Sequence, residues 1–318
     1  MITLKQIEEA QQRIYKMARK TSLKHSSSLS KITGYDVFLK PECLQKTGSF
    51  KIRGAANKIL TLSAEEGASG VVTGSSGNHG QAVACAAALA GFPATVIMPE
   101  GGSQAKAESI RGYGAELLFC GTTSDARLDL ARKLREERGM VLVHPYDDPH
   151  VMAGQGTIGL EILDELADVD AVLVPTGGCG LISGIATAIK ERNPKVKVFG
   201  IEPKGSNSTT LSFRAGKRTR LDEVSTVADG IRTSIPGELT FPVVQKYVDD
   251  MFLVSEEDIF AAVKLILQRC KLLPEPTGAV AMAALLGDTL PASLRGKRIV
   301  PLLSGGNVAL DQVAKIIG

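Results

Sequence analysis

Little in this chain ties it to a polyanion, a membrane or a metal. Over 318 residues the formal net charge is only +3, too small an excess to argue for nucleic acid or an anionic bilayer. The one dense basic run, RAGKRTR at 214–220, alternates with small residues and runs into LDE, so it reads as a solvated loop. No apolar run reaches the roughly 18 residues a membrane span needs; the alanine-rich segment after Gln81 stops at Gly91 and Pro93. The N-terminus has no signal-peptide core. Ile2, Leu4, Ile7 and Ile14 are spaced among charges, and Thr3 and Gln6 stand at capping-box spacing, the pattern of an amphipathic helix. Five cysteines (Cys43, Cys85, Cys120, Cys179, Cys270) are dispersed without a CxxC pair, which fits neither a zinc site nor a disulfide scaffold and suits a reducing compartment. The expectation is a soluble cytoplasmic protein with no nucleic-acid or membrane partner. A GxxxxGK[ST] loop is absent as well, which argues against a P-loop nucleotide hydrolase.

What is present is an ordinary globular composition, 44% hydrophobic and 22% charged, arranged in a repeating order. GVVT precedes QAVACAAALA, ATVIMP precedes QAKAESIRGYG, and AELLFC precedes SDARLDLARKLREERG. Later DAVLVPT precedes LISGIATAIKERN, then KVFGIEP, and RIVPLLS closes the series. GQGTIGLEILDELA between the two series is a further helix, and Ser255 with Asp258 caps another over IFAAVKLILQRC. Strand-length runs alternating with helical patterns predict an α/β fold of two open, mostly parallel sheet domains. The smaller domain is placed at 68–145 and the larger at 1–67 plus 146–318.

Three strands leave through glycine-rich turns: VVTGSSGNHG, AVLVPTGGCGLISG and VPLLSGGN. Ligands collect outside the carboxyl ends of parallel strands, and free amides at a helix start favour an anion. Gly178-x-Gly180 with Glu202 at the end of the next strand also opens a dinucleotide fingerprint, although Ser183 stands at its third glycine position. A bare phosphate asks only for the amides of residues 177–181. In QKTGSFKIRGA, residues 45–55, Lys51 sits where a helix begins, between Phe50 and Ile52. Helix-end electrostatics and desolvation both lower the pKa of such an amine and make it a nucleophile. An amine, an anion cradle and a further glycine turn are the parts a pyridoxal phosphate site requires.

With these motifs the chain resembles the fold-type II pyridoxal-phosphate enzymes, the threonine/serine dehydratase and serine racemase family, over essentially its whole length and in the family's order. The resemblance implies a tryptophan synthase β-like architecture with pyridoxal 5'-phosphate between the domains. It makes Lys51 the Schiff-base lysine and the base at Cα. Phe50 packs on the cofactor ring, and Asn78 bonds its phenolic oxygen. Gly177, Gly178, Cys179, Gly180 and Leu181 cradle the phosphate, and Ser304 faces the ring nitrogen, where a hydroxyl leaves the ring a weaker electron sink than a carboxylate would. Ser75, Ser76, Gly77, Asn78 and His79 receive the substrate carboxylate, and Ser76 matches the second base of a racemase. Cys179 stands where glycine is common, which is tolerable if only its amide is used and no positive φ is needed.

The resemblance also points to a divalent cation at Glu202 and the Ser206 carbonyl, weakened by Ser208 in place of an acid, and to Glu275 near the cofactor. Tyr146 occupies a position where serine racemases are expected to carry Asn. The expected activity is β-elimination from L-threonine and/or L-serine to a 2-oxo acid and ammonia, with serine racemase and 3-hydroxyaspartate dehydratase as alternatives. An NAD-dependent oxidoreductase and a non-catalytic cofactor-binding protein remain as readings of a different class. A small hydroxyamino acid is the expected partner and a homo-oligomer the expected state. Feedback through a C-terminal regulatory domain is not expected of a chain ending at Gly318.

Overall fold

A computed structural model of the chain describes residues 1–318 except Ser76, Ser103, Thr122, Thr123 and Asp288. Its strands are β1 (Lys24–His25), β2 (Asp36–Pro41), β3 (Val71–Gly74), β4 (Ala94–Met98), β5 (Glu116–Phe119), β6 (Val141–Leu142), β7 (Ala171–Pro175), β8 (Lys197–Pro203), β9 (Asp250–Val254) and β10 (Arg298–Leu303). They form two sheets. One has the order β1-β2-β10-β7-β8-β9, parallel except for β1, and the other is β5-β4-β3-β6, parallel throughout. Helices cover both faces of a parallel sheet, so its inner strands bury both sides. That is why β3, β4 and β7 read as unbroken apolar runs and are buried along their lengths.

The N-terminal helix Leu4–Ile14 starts at the expected Thr3–Gln6 capping box. Its buried face, Ile7 and Ala10, packs with Met152, Leu160 and Ala188 of the large-sheet helices. The Ser255–Asp258 box likewise starts helix Glu256–Cys270. Among the elements that escaped the sequence reading are three that build the large sheet and its cover. β2 and β9 are short and lack clear alternation, and helix Pro276–Leu286 is buried all round, so it shows no amphipathic stripe.

One helix ties the layers together. Lys51–Ile59 packs on both Asn78–Ala90, which follows β3, and Pro149–Glu165, which also packs on Gly180–Arg192 after β7. These contacts are close. A Cβ on Gly154 would come within 2.7 Å of the Gly54 Cα, and one on Gly184 would strike the Met152 carbonyl. Ile158, Ile162, Ile182 and Ile185 fill the layer beneath, each fully buried side chain contributing about 1.5–3 kcal/mol of transfer free energy. The starts of the Lys51 helix and of the helix after β7 are thereby fixed against one strut.

Candidate active site

β3, β7 and β10 each end in one of the glycine turns; the first and third meet where Asn307 donates to Asn78, and the second packs on Tyr146, next to the carbonyl that Lys51 bonds. The Lys51 helix begins there because its N-terminal turn is tied to the third of them: Phe50 N–H donates to the Ser304 carbonyl at 3.1 Å, and Ser49 bridges Gly305. Lys51 is the first residue of helix Lys51–Ile59. Its Nζ donates to the Pro145 carbonyl at 2.8 Å and stands 5.1 Å from the Phe50 ring centroid. Burial lowers its pKa to about 8, and the charge of Glu275 opposes the shift. Desolvation was foreseen from Phe50 and Ile52; the counter-charge of Glu275 was not.

The turn after β7 is built with its carbonyls turned away. Gly177 O accepts from Thr209 Oγ1 at 3.0 Å and from Cys179 Sγ at 3.2 Å, and Gly178 O accepts from Thr240 Oγ1 at 2.9 Å. Among the described residues, the N–H groups of Gly177, Gly178, Cys179, Gly180 and Leu181 have no acceptor. A Cβ on Gly178 would enter the Tyr146 ring. Cys179 has φ 71, so the condition on which a cysteine was expected to be tolerable here, that no positive φ is needed, is not met. The residue that precedes helix Gly180–Arg192 must turn left-handed for successive amides to converge.

Asn78 begins helix Asn78–Ala90 behind Gly77, which offers no side-chain cap. The Asn78 amide is oriented from both ends: Nδ2 donates to Glu275 Oε1 at 2.6 Å, and Oδ1 accepts from Asn307 Nδ2 at 2.9 Å. Asn307 also donates to the Thr47 carbonyl at 2.8 Å. Burial raises Glu275 to about 7, with Asp229 adding and Lys106 and Lys51 opposing. Ser304 is buried beside it and donates to the Thr277 carbonyl at 3.5 Å.

Ser75 is half-buried: its N–H donates to the Ile97 carbonyl at 2.9 Å, and its Oγ accepts from Gly77 N–H at 3.3 Å. Ser76 lies outside the described residues. His79 is buried with its pKa lowered to about 3, chiefly by desolvation and then by Lys51. A neutral ring then donates Nε2–H to the Val143 carbonyl at 2.9 Å and leaves Nδ1 without a partner.

Glu202 lies behind the β7 turn, one residue removed through Thr209, and is fully engaged. Its oxygens accept from Thr209 N–H, Thr210 N–H and Thr210 Oγ1, while Ser206 Oγ donates to the Ile231 carbonyl. Among the described residues no group of three or more His, Cys, Asp or Glu is placed to hold a metal.

Residues 14–305 match the model of the family described as pyridoxal-phosphate dependent enzyme. The chain belongs to that family. The pyridoxal-phosphate enzymes it resembles in sequence include an L-threonine ammonia-lyase of Thermotoga maritima, 47% identical over all of this chain and 78% of that protein. A catabolic L-threonine dehydratase of Staphylococcus aureus is 46% identical over all of this chain and 92% of its own. Among solved structures, maize serine racemase superposes with a TM-score of 0.95 at 38% identity, covering 99% of this chain and 96% of the other. A threonine deaminase from T.th. gives 0.90 at 42% identity over 96% and 99%.

The residues present suit the family's cofactor. A dianionic phosphate needs several converging donors, which the free amides of the β7 turn supply. An aldehyde needs an uncharged amine, which Lys51 approaches. Among the described residues the buried Ser49 hydroxyl beside Gly305 and His79 Nδ1 have no protein partner, which leaves both open to a bound group. What sequence reasoning missed is the supporting layer. Thr209, Thr240 and the Pro145 carbonyl carry no motif of their own, whereas Asn307 stood in the quoted SGGN motif and was given no role there.

Proposed function

We propose that this pyridoxal-phosphate enzyme catalyses β-elimination of water from L-threonine and/or L-serine, releasing a 2-oxo acid and ammonia. The observation that carries the reading is the Lys51 amine, buried, lowered to about 8 and, among the described residues, hydrogen-bonded only to a carbonyl. The likeness to full-length threonine ammonia-lyases supports the reaction class. Tyr146, packed against the Gly178 and Gly180 backbone, supports elimination over racemisation because serine racemases are expected to carry Asn there.

The bound cofactor supplies conjugation that acidifies the substrate's Cα–H. Lys51 Nζ would hold it and, as an uncharged amine, would take the Cα proton. The amides of residues 177–181 would hold its phosphate. Asn78, fixed between Glu275 and Asn307, would serve its phenolic oxygen, and the Ser304 hydroxyl would serve its ring nitrogen with no negative charge to keep it protonated. The Ser75–His79 turn and the uncapped start of helix Asn78–Ala90 receive the substrate carboxylate. Phe50 and Tyr146 wall the cleft against water. The atoms balance: Cα–H and Cβ–OH leave as water, and water returns as nitrogen departs as ammonia.

A divalent cation at Glu202 and Ser206 belongs to the same reading, as do a cytoplasmic location and a homo-oligomer; no step calls on the cation. The test is an absorbance spectrum with L-threonine and L-serine turnover for wild type and Lys51→Ala. A cofactor band lost in the variant, with 2-oxo acid formed only by wild type, is expected. D-serine without oxo acid would replace the proposal by racemisation, and no band after cofactor addition would end it.

A further inference from the structure

We propose that the Cys179 thiol is a positioning group of the phosphate cradle, a side-chain lock that aims the cradle's amides where family members commonly use a glycine. The inference rests on the reading of residues 177–181 as the cofactor-phosphate site. Among the described residues only two non-glycines have positive φ, Cys179 and Lys271. Lys271 is an exposed helix C-cap, where such a conformation is common. Cys179 is buried, and its Cβ carries the left-handed penalty that glycine escapes.

Something must offset that penalty, and the sulfur is placed to do so. Sγ donates to Gly177 O at 3.2 Å and lies 3.1 Å from Thr209 Oγ1, which itself donates to Gly177 O at 3.0 Å. Thr209 is held in turn through its N–H, which donates to Glu202 at 3.1 Å. The consequence follows from the peptide plane. In a trans peptide the carbonyl of one residue and the N–H of the next point in opposite directions. Pinning Gly177 O behind the turn therefore aims the Gly178 N–H outward, and pinning Gly178 O through Thr240 aims the Cys179 N–H outward.

Burial pushes the thiol far above its ordinary range. It stays a neutral S–H donor and adds no negative charge against a phosphate. Glycine at this position would lose the pin but also the strain. Alanine would keep the strain and lose the pin, and serine would keep a donor.

The test compares wild type with Cys179→Ser, Cys179→Gly and Cys179→Ala. It measures affinity of the cofactor-stripped protein for pyridoxal phosphate, for inorganic phosphate and for pyridoxal, which lacks the phosphate. Thermal midpoints of each stripped protein report damage to the fold. Serine is expected to stay within about twofold of wild type. Glycine should weaken phosphate-bearing ligands several-fold and alanine about tenfold, the size a lost hydrogen bond and an uncompensated left-handed residue produce together, with pyridoxal unchanged. Thr209→Val, which removes the other pin on Gly177 O, should shift the same ligands in the same direction, and Thr209→Ser should restore them. Equal affinities across the series, or an equal loss for pyridoxal, would overturn the lock. A wild type that binds pyridoxal but gains nothing from the phosphate would instead overturn the cradle reading beneath it.

Discussion

Lys40 and Lys51 are both withdrawn from solvent, and burial lowers the pKa of both, but the protein surrounds them differently. Lys40 lies in a cluster of buried charge. Its Nζ donates to Glu161 at 2.6 Å and to the Thr21 carbonyl, while Arg53 bonds both Glu42, at 2.8 Å, and Glu161, at 2.6 Å. All four side chains are fully buried, and Tyr15 adds its hydroxyl to Glu161 at 2.7 Å. Burial alone would raise the Glu161 carboxyl, but Arg53 and Lys40 hold it below the usual carboxylate range. Two residues before Arg53, Lys51 bonds the Pro145 carbonyl and, among the described residues, no carboxylate. Glu161 and Glu42 oppose the shift at Lys40, whereas only the charge of Glu275 opposes it at Lys51. A buried lysine bonded to an acid serves as a strut, and one bonded to a carbonyl is left free for chemistry.

Removing the strut should have the largest effect. Arg53→Met strands Glu42 without its cation and leaves Glu161 only Lys40, so urea unfolding should show a loss of about 3–5 kcal/mol. A loss near zero would mean that the cluster relaxes and is no strut.

Lys51→Met should move the other way. Its folded pKa, about 8, lies below the unfolded 10.5, so the native state binds fewer protons between those values and stability rises with pH across that window. At pH 7 the buried charge is a burden, and in cofactor-stripped protein the variant should gain on the order of 2 kcal/mol and lose the rise between pH 8 and 10.5. It should also lose all turnover. A less stable variant would show that the amine is a strut after all.

Glu275→Gln tests the carboxylate that opposes the Lys51 shift. Glu275 is raised from 4.5 to about 7, so its contribution is present below 4.5 and is lost as pH rises through 7. Relative to the variant, stripped wild-type protein should lose stability across that interval; a constant difference from pH 4 to 8 would contradict the assignment.

The smallest effect belongs to an exposed pair at the cleft mouth. Lys106 Nζ lies 2.9 Å from Asp229 and would touch a Cβ on Gly77. Lys106→Met should change stability by less than about 1 kcal/mol, yet raise KM several-fold with kcat nearly kept, because its charge stands beside the turn that receives a carboxylate. An unchanged KM would confine Lys106 to the surface.

The legible part of this molecule was local. Apolar runs alternating with helical patterns gave the order of elements and three of the sheet ends, since a strand buried on both faces has to be apolar throughout. Capping boxes at Thr3 and Ser255 marked helix starts because four bare amides there demand acceptors. Lys51 was legible from its own neighbours. The strut was not, for Lys40 with Glu42, Arg53 and Glu161 are ordinary charges on three separate stretches and nothing local marks them as buried. Helix Pro276–Leu286 was missed for the converse reason, having no polar face to set its period.

By itself, then, the sequence determined the α/β rhythm, the glycine turns and the amine at a helix start, because each is fixed by residues a few positions apart. Only the tertiary structure decided that Glu275 faces Asn78, that Thr209 and Thr240 turn the cradle's carbonyls away, and that Cys179 adopts φ 71. Those depend on segments that meet only when two sheets close on one cleft, and side chains distant along the chain cannot declare their partners before it closes.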